Sequence, residues 1–263
     1  MPRRKRIPQT EAGGGRKYEG LQSARQPNET TEEFLARLPP ASTDISPEVP
    51  WIYIDNPFHS TAGRKPKDVA RFLEGGEERL NLLLEAVPKI KSSGKTQAAI
   101  ARELTRYRAE ASQSLLNLAQ DCNIFSGKWL LFPGVGQISS AWEVVASATA
   151  TDELGTSAKV APRDPDHPED EQVICVYTRD FRDIGDICRV LNRLRELCLV
   201  EPRGKCIYYK CGEYCCTHSR GLYESTNGET QPADAWSYLR IVRDNVWKLR
   251  PWMVSNLPAA NLP

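Results

Sequence analysis

The heptapeptide QVICVYT, residues 172–178, restricts the fold more than any other stretch. Successive side chains of a strand point to opposite faces, and here both faces are apolar. Such a strand has to be covered on both sides, which places it in the middle of a sheet within a layered domain. Further strands are predicted at 128–132 (KWLLF), 157–161 and 205–210. Pro50-Trp51-Ile52-Tyr53-Ile54, closed by Asn56-Pro57, reads as a short extended anchor docked on the domain. Residues 236–242 alternate in side-chain character, turn at Arg243-Asp244-Asn245 and return over 246–254 as a β-hairpin.

The helical signals are of the other period. Ile100, Leu104, Tyr107, Ala111, Leu115, Leu118 and Cys122 recur at three- and four-residue spacing, between an N-cap at Thr96 and a left-handed stop at Asn123. Ile138, Trp142, Val145 and Thr149 mark a second helix. Ile184, Ile187, Cys188, Leu191, Leu194 and Cys198 mark a third, stopped by Pro202. Two shorter helices are expected at 66–73, ending at Gly75-Gly76, and at 77–87, ending before Pro88. The sum is an α+β protein: a mostly antiparallel sheet of about six strands with helices packed on one face.

Residues 1–46 contain few branched apolar side chains and read as an unfolded basic and polar tail, with one short helical turn over 32–38. A single domain is expected over 47–254, with an unfolded tail at 255–263. Arg3-Arg4-Lys5-Arg6 fits either a nuclear import signal or a solvated basic end. A net charge of +1 over 263 residues gives no global attraction to nucleic acid, so any such surface has to be local. The sequence shows no apolar run that would span a bilayer. Eight cysteines without a secretory signal are expected to be reduced thiols, in the cytoplasm, the nucleus or both.

Motifs for chemistry are sparse. Ser93-Gly94-Lys95-Thr96 ends like a phosphate-binding loop, but Lys89 stands where the first glycine is required. Gly134 and Gly136 lack the third glycine of a dinucleotide fingerprint. His59, His167 and His218 all fall in loops, and no nucleophile–histidine–acid set emerges. The acidic stretch at 163–171 reads as a solvated loop. The expectation is a protein that is not an enzyme and carries no cofactor or metal.

Several long runs carry a family resemblance: SPEVPWIYIDNP at 46–57, NLAQDCNIFSGKW at 117–129, its continuation through GTSAKVAP to residue 162, QVICVYTRDFRDIGDICRVLNRLRELCLV at 172–200, and IYYK at 207–210. Over 46–254 the chain resembles the Bles family, the basophilic-leukaemia-expressed proteins and their fungal members, a domain of unknown function. That resemblance implies a fold similar to the cap-binding translation initiation factor 4E, with a curved antiparallel sheet backed by helices. It implies no activity.

Within this resemblance, residues 211–231 look like an interruption between two strands. Cys206, Cys211, Cys215, Cys216 and His218 crowd there, but without a Cys-x-x-Cys pair and with adjacent cysteines that point opposite ways in an extended chain. A surface loop, a translated intron and a zinc site all remain readings of it.

Aromatic and basic residues supply the functional candidates. Trp236, Arg240, Arg243, Trp247, Lys248 and Arg250 interleave along the final hairpin, a composition suited to binding phosphate and base. The leading expectation is a nucleotide or single-stranded RNA bound through the sheet face and this hairpin. The alternative is a protein–protein adaptor. Trp142 resembles the helix tryptophan that the initiation factor presents to partner proteins and would be the contact; burial on the helix face is the ordinary alternative for such a residue.

Overall fold

The computed structural model describes residues 18–59, 64–134, 136–168, 171–200 and 207–211. Five helices and five strands follow along them: α1 Thr31–Arg37, β1 Ile52–Asp55, α2 Val69–Lys91, α3 Gln97–Asp121, β2 Gly127–Leu131, α4 Ile138–Ala150, β3 Ser157–Val160, β4 Ile174–Thr178, α5 Ile184–Glu196 and β5 Tyr208–Cys211. The strands form one sheet in the order β1-β3-β4-β2-β5. The β1–β3 and β3–β4 pairs are antiparallel. The architecture is therefore α+β, with five strands among the described residues against the six or so expected. The hairpin strands at 236–254 lie outside the described residues.

The sequence reading treats 47–254 as one domain, whereas contacts group the chain into two compact units. The first contains α1, β1, α4, β3, β4 and α5, and the second contains α2 and α3.

In the first unit QVICVYT behaves as its composition requires: every residue of β4 is buried, and β4 lies inside the sheet. The register separates the faces of the three paired strands. Ile52 and Ile54 align with Val160 and Ala158, and these with Ile174 and Val176, all 0% exposed. Helix α4 packs against β1 and β3, and α5 against β4. Trp129 of β2 is fully buried and donates its indole N–H to the Ile187 carbonyl of α5 at 3.3 Å. Burying the largest side chain together with a satisfied N–H is the favourable way to place tryptophan in a core.

Residues 18–46 are not an unfolded tail. They form a strap along the first unit. Ser23 and Arg25 exchange backbone hydrogen bonds with Tyr53, at 2.9 and 3.0 Å. Helix α1 follows, closed by a capping box in which the Thr30 hydroxyl accepts from the Glu33 amide and the Glu33 carboxylate accepts from the Thr30 amide. Phe34, 0% exposed, meets Trp142 of α4 edge to face, with ring centroids 6.3 Å apart. Beyond α1, Arg163 and Ile45 are hydrogen bonded through their backbones, and Arg163 Nε reaches Asp44 at 2.7 Å. A low-hydrophobicity segment can order when a few of its apolar residues find buried sites, as Ala24, Phe34 and Leu38 do here. Composition averages over the segment and does not register this.

The second unit is an α-helical hairpin whose own core is Leu83, Val87, Ile90, Ile100 and Leu104, with Tyr107 and Ala111 against it. Thr96 caps α3, and Asn123 takes the left-handed conformation after it at φ 57°, as their sequence positions predict. The two short helices expected at 66–87 are instead one. Helix α2 runs unbroken through Gly75-Gly76 and past Pro88. The glycines are interface residues: a Cβ on Gly75 would lie 3.0 Å from Leu118, and Gly76 is buried near Leu115. Contact with α3 compensates a propensity cost of about 1 kcal/mol per glycine. Arg79 adds a tie, donating to the Gly75 carbonyl at 2.7 Å and to the Ser114 hydroxyl at 2.9 Å.

Candidate functional site

The same alternation that buries Ile52 and Ile54 turns Tyr53 and Asp55 to the other side of β1. On that side Tyr53 is paired with Lys159, and Lys159 in turn with Cys175. Trp51, one position before β1, joins them. Lys159 Nζ lies 3.6 Å from the Trp51 ring centroid and 6.0 Å from that of Tyr53. Tyr18 of the strap stacks on Tyr53 with centroids 4.5 Å apart and planes 27° from parallel, and its backbone N–H donates to Asp55 Oδ2 at 3.2 Å. Tyr18, Trp51 and Tyr53 are each partly exposed. Deeper on this face Lys128 Nζ lies 5.6 Å from the Tyr177 ring.

Lys128 and Lys159 are 0% and 2% exposed. Holding an ammonium out of water is costly, and an aromatic face recovers part of that cost. The result is a shelf of three partly exposed aromatic residues with positive charge behind it. Flat aromatic ligands stack on such rings, and their phosphates are drawn by the charge.

Only part of this shelf is legible in the sequence. Trp51 and Tyr53 fall in the expected anchor, and the W-I-Y-I alternation at 51–54 puts both rings on one face. Lys159 and Lys128 carried no sequence signal, since a lysine in a strand is ordinarily solvated. Tyr18 falls in the expected unfolded tail. The proposed hairpin residues Trp236, Arg240, Arg243, Trp247, Lys248 and Arg250 lie outside the described residues, as do Cys206, Cys215, Cys216 and His218.

Trp142 is placed differently from its proposed role. It is 0% exposed, with Phe34 of α1 against its ring, so it is not offered to a partner. Its indole Nε1 is buried without a hydrogen-bond partner. The correction follows from the strap: once residues 18–46 are ordered, α1 occupies the helix face on which the partner contact was expected.

A second polar cluster joins the end of β1 to the α4–β3 turn. His59 Nε2 lies 3.2 Å from Asp152 Oδ1, and the Asn56 side chain donates to the same oxygen and to the Gly155 carbonyl, both at 3.0 Å. Burial pushes the His59 imidazole below its ordinary value, with the carboxylates of Asp152 and Asp186 pulling the other way. Arg189 donates to the Glu153 and Leu154 carbonyls at 3.1 and 3.0 Å, and Arg193 grips the Glu153 carboxylate. Asn56 is 2% exposed and Asp152 has φ 63°, so this network fixes a turn.

The remaining motifs settle into local roles. Ser93-Gly94-Lys95-Thr96 is the α2–α3 connection: Gly94 has φ 69°, Lys95 pairs with Glu103 at 2.7 Å and Thr96 is the cap. Cys122 and Cys175 are both buried. Burial pushes the Cys122 thiol up, away from the reactive thiolate. Among the described residues no group of three or more His, Cys, Asp or Glu side chains is placed to hold a metal ion. No helix among them is long and apolar enough to cross a membrane.

These features define an α+β protein with a cation-backed aromatic shelf at one end of its sheet. The family model described as basophilic leukemia-expressed protein Bles03 matches residues 2–217. The chain belongs to that family. The match takes in the strap, which the resemblance over 46–254 left out, and it ends inside the 211–231 interruption.

Proposed function

We propose that this chain is a non-enzymatic binding protein, cytoplasmic, nuclear or both, that takes up a nucleotide or single-stranded RNA on the sheet face beside β1. A base stacks on the shelf of Tyr18, Tyr53 and Trp51, and the ammoniums of Lys159 and Lys128 draw its phosphate. The observation that carries this reading is the partly exposed ring of Trp51 with Lys159 Nζ 3.6 Å from its centroid. Likeness to the fold of initiation factor 4E, and kinship with the fungal members, belong to the same proposal. The antiparallel β1–β3–β4 ladders with α4 and α5 packed on them support it. The basic, aromatic run from Trp236 to Arg250 has a composition suited to the same ligands.

Titration of the full chain with guanosine 5′-monophosphate and short oligoribonucleotides, followed by tryptophan fluorescence, tests it. Trp129 and Trp142 are buried, so saturable quenching that disappears in Trp51→Ala places the ligand on the shelf. Affinity should fall as salt rises, because phosphate contacts release counterions. Quenching that survives in Trp51→Ala but is lost on replacing Trp236 and Trp247 moves the site to the hairpin. Unchanged fluorescence of a folded protein at high micromolar ligand overturns the reading.

A further inference from the structure

The shelf carries a charge on the wrong side for one class of aromatic ligand. Lys159 Nζ sits 3.6 Å from the Trp51 centroid, in a residue 2% exposed, so one face of the indole already holds a cation. A base stacked on the opposite face adds roughly 3.5 Å, the ordinary carbon–carbon contact. Its centre then lies about 7 Å from the ammonium, where like charges at an effective dielectric near 20 repel by about fiftyfold in affinity, less where water screens them. Phosphate is attracted by the same ammonium.

We infer that the shelf selects by charge: it accepts neutral bases bearing phosphate and rejects cationic aromatics such as N7-methylated guanine, with Lys159 as the specificity-determining residue. This rests on the binding reading above and names the ligand class for that site. An indole left to itself prefers a cationic ring to a neutral one. A repulsive element is therefore needed to reverse the preference, and the cation against Trp51 supplies it.

The test compares guanosine 5′-monophosphate with its N7-methylated counterpart on the full chain, below neutral pH, where the methylated ring is positively charged. The expected result is at least about tenfold tighter binding of the neutral nucleotide to the wild type, as the screened repulsion requires. Lys159→Met, which keeps the shape of the stem, should abolish or reverse the gap, and Lys159→Arg should keep it. Lys159→Gln replaces the Met variant if circular dichroism shows that variant unfolded. Equal or tighter binding of the methylated nucleotide to the wild type overturns the inference, and so does a gap that survives removal of the charge. In both cases the shelf still binds and the broader reading stands. Failure of both nucleotides to bind removes the broader reading and the inference with it.

Discussion

In the α2–α3 hairpin, apolar residues find their partners within the same two helices: Leu83, Val87 and Ile90 meet Ile100 and Leu104. In the strap of residues 18–46 the ordering contacts lead elsewhere, Tyr18 and Ala24 to Tyr53, Phe34 to Trp142, and Asp44 to Arg163. The hairpin is held by a repeated pattern, so no single residue decides whether it forms. The strap hangs on a few anchors, each of which does. A repeat distributes its stabilisation, whereas a sparse segment concentrates it, and the two should fail differently under mutation.

The largest effect is expected at Phe34. Replacing this fully buried ring with alanine removes about 3–4 kcal/mol, more than a seven-residue helix supplies on its own. Phe34→Ala should therefore release α1 as a unit. Hydrogen-exchange protection of the α1 amides should collapse, and the α3 amides should keep theirs. Leu104→Ala, at a site 8% exposed, costs a comparable amount in the hairpin core but should leave α1 protected. If Phe34→Ala leaves α1 protection intact, the strap is not anchored as the contrast requires.

The next effect tests the hairpin from the opposite direction. Pro88 lies inside α2 and is exposed, with no packing role to lose. It withholds a backbone N–H in the last turn, where helix propensity disfavours it by up to about 3 kcal/mol, offset in part by a stiffer unfolded chain. Pro88→Ala should raise hairpin stability by about 1–2 kcal/mol, read as a higher urea midpoint for loss of helical circular dichroism. A fall in that midpoint would mean that the proline fits a bend the hairpin needs.

This contrast also marks where the sequence could be read. Residues that repeat at helical spacing identified α3 and α5, and the doubly apolar 172–178 identified the central strand, because periodicity is a local property. What escaped depends on a distant partner. Gly75-Gly76 reads as a stop until Leu118 lies against it, and then it is the reason two helices can approach. Phe34 in a polar stretch says nothing until Trp142 is beneath it. The shelf escaped for the same reason: Trp51 and Tyr53 alternate legibly, but the charge that gives them chemistry comes from Lys159, more than a hundred residues later in the chain and brought opposite Tyr53 only by the β1–β3 register. Trp142 was legible as a helix-face aromatic, and only its cover was not.

The smallest effect separates the strap by its charge. Glu29 and Arg37 pair at 2.6 Å, and Arg37 also donates to the Gln22 and Ala24 carbonyls, so this pair ties α1 to the edge of the sheet. The hydrogen bond from Arg37 holds the Glu29 carboxyl below its ordinary 4.5, against the opposing effect of burial. A carboxyl with a depressed folded value adds stability that is fully present above its unfolded value and is lost as pH falls through the folded one. Above pH 4.5 the pair should therefore support the strap, and below it the support should fade. Arg37 is 39% exposed and screened by solvent, so the contribution is about 0.5–1 kcal/mol, enough to reduce protection of the α1 amides severalfold but not to release them. Glu29→Gln should show the reduced protection already at neutral pH and lose less of it on acidification. Equal pH dependence in the two proteins would place the acid sensitivity elsewhere and leave Phe34 as the main anchor of α1.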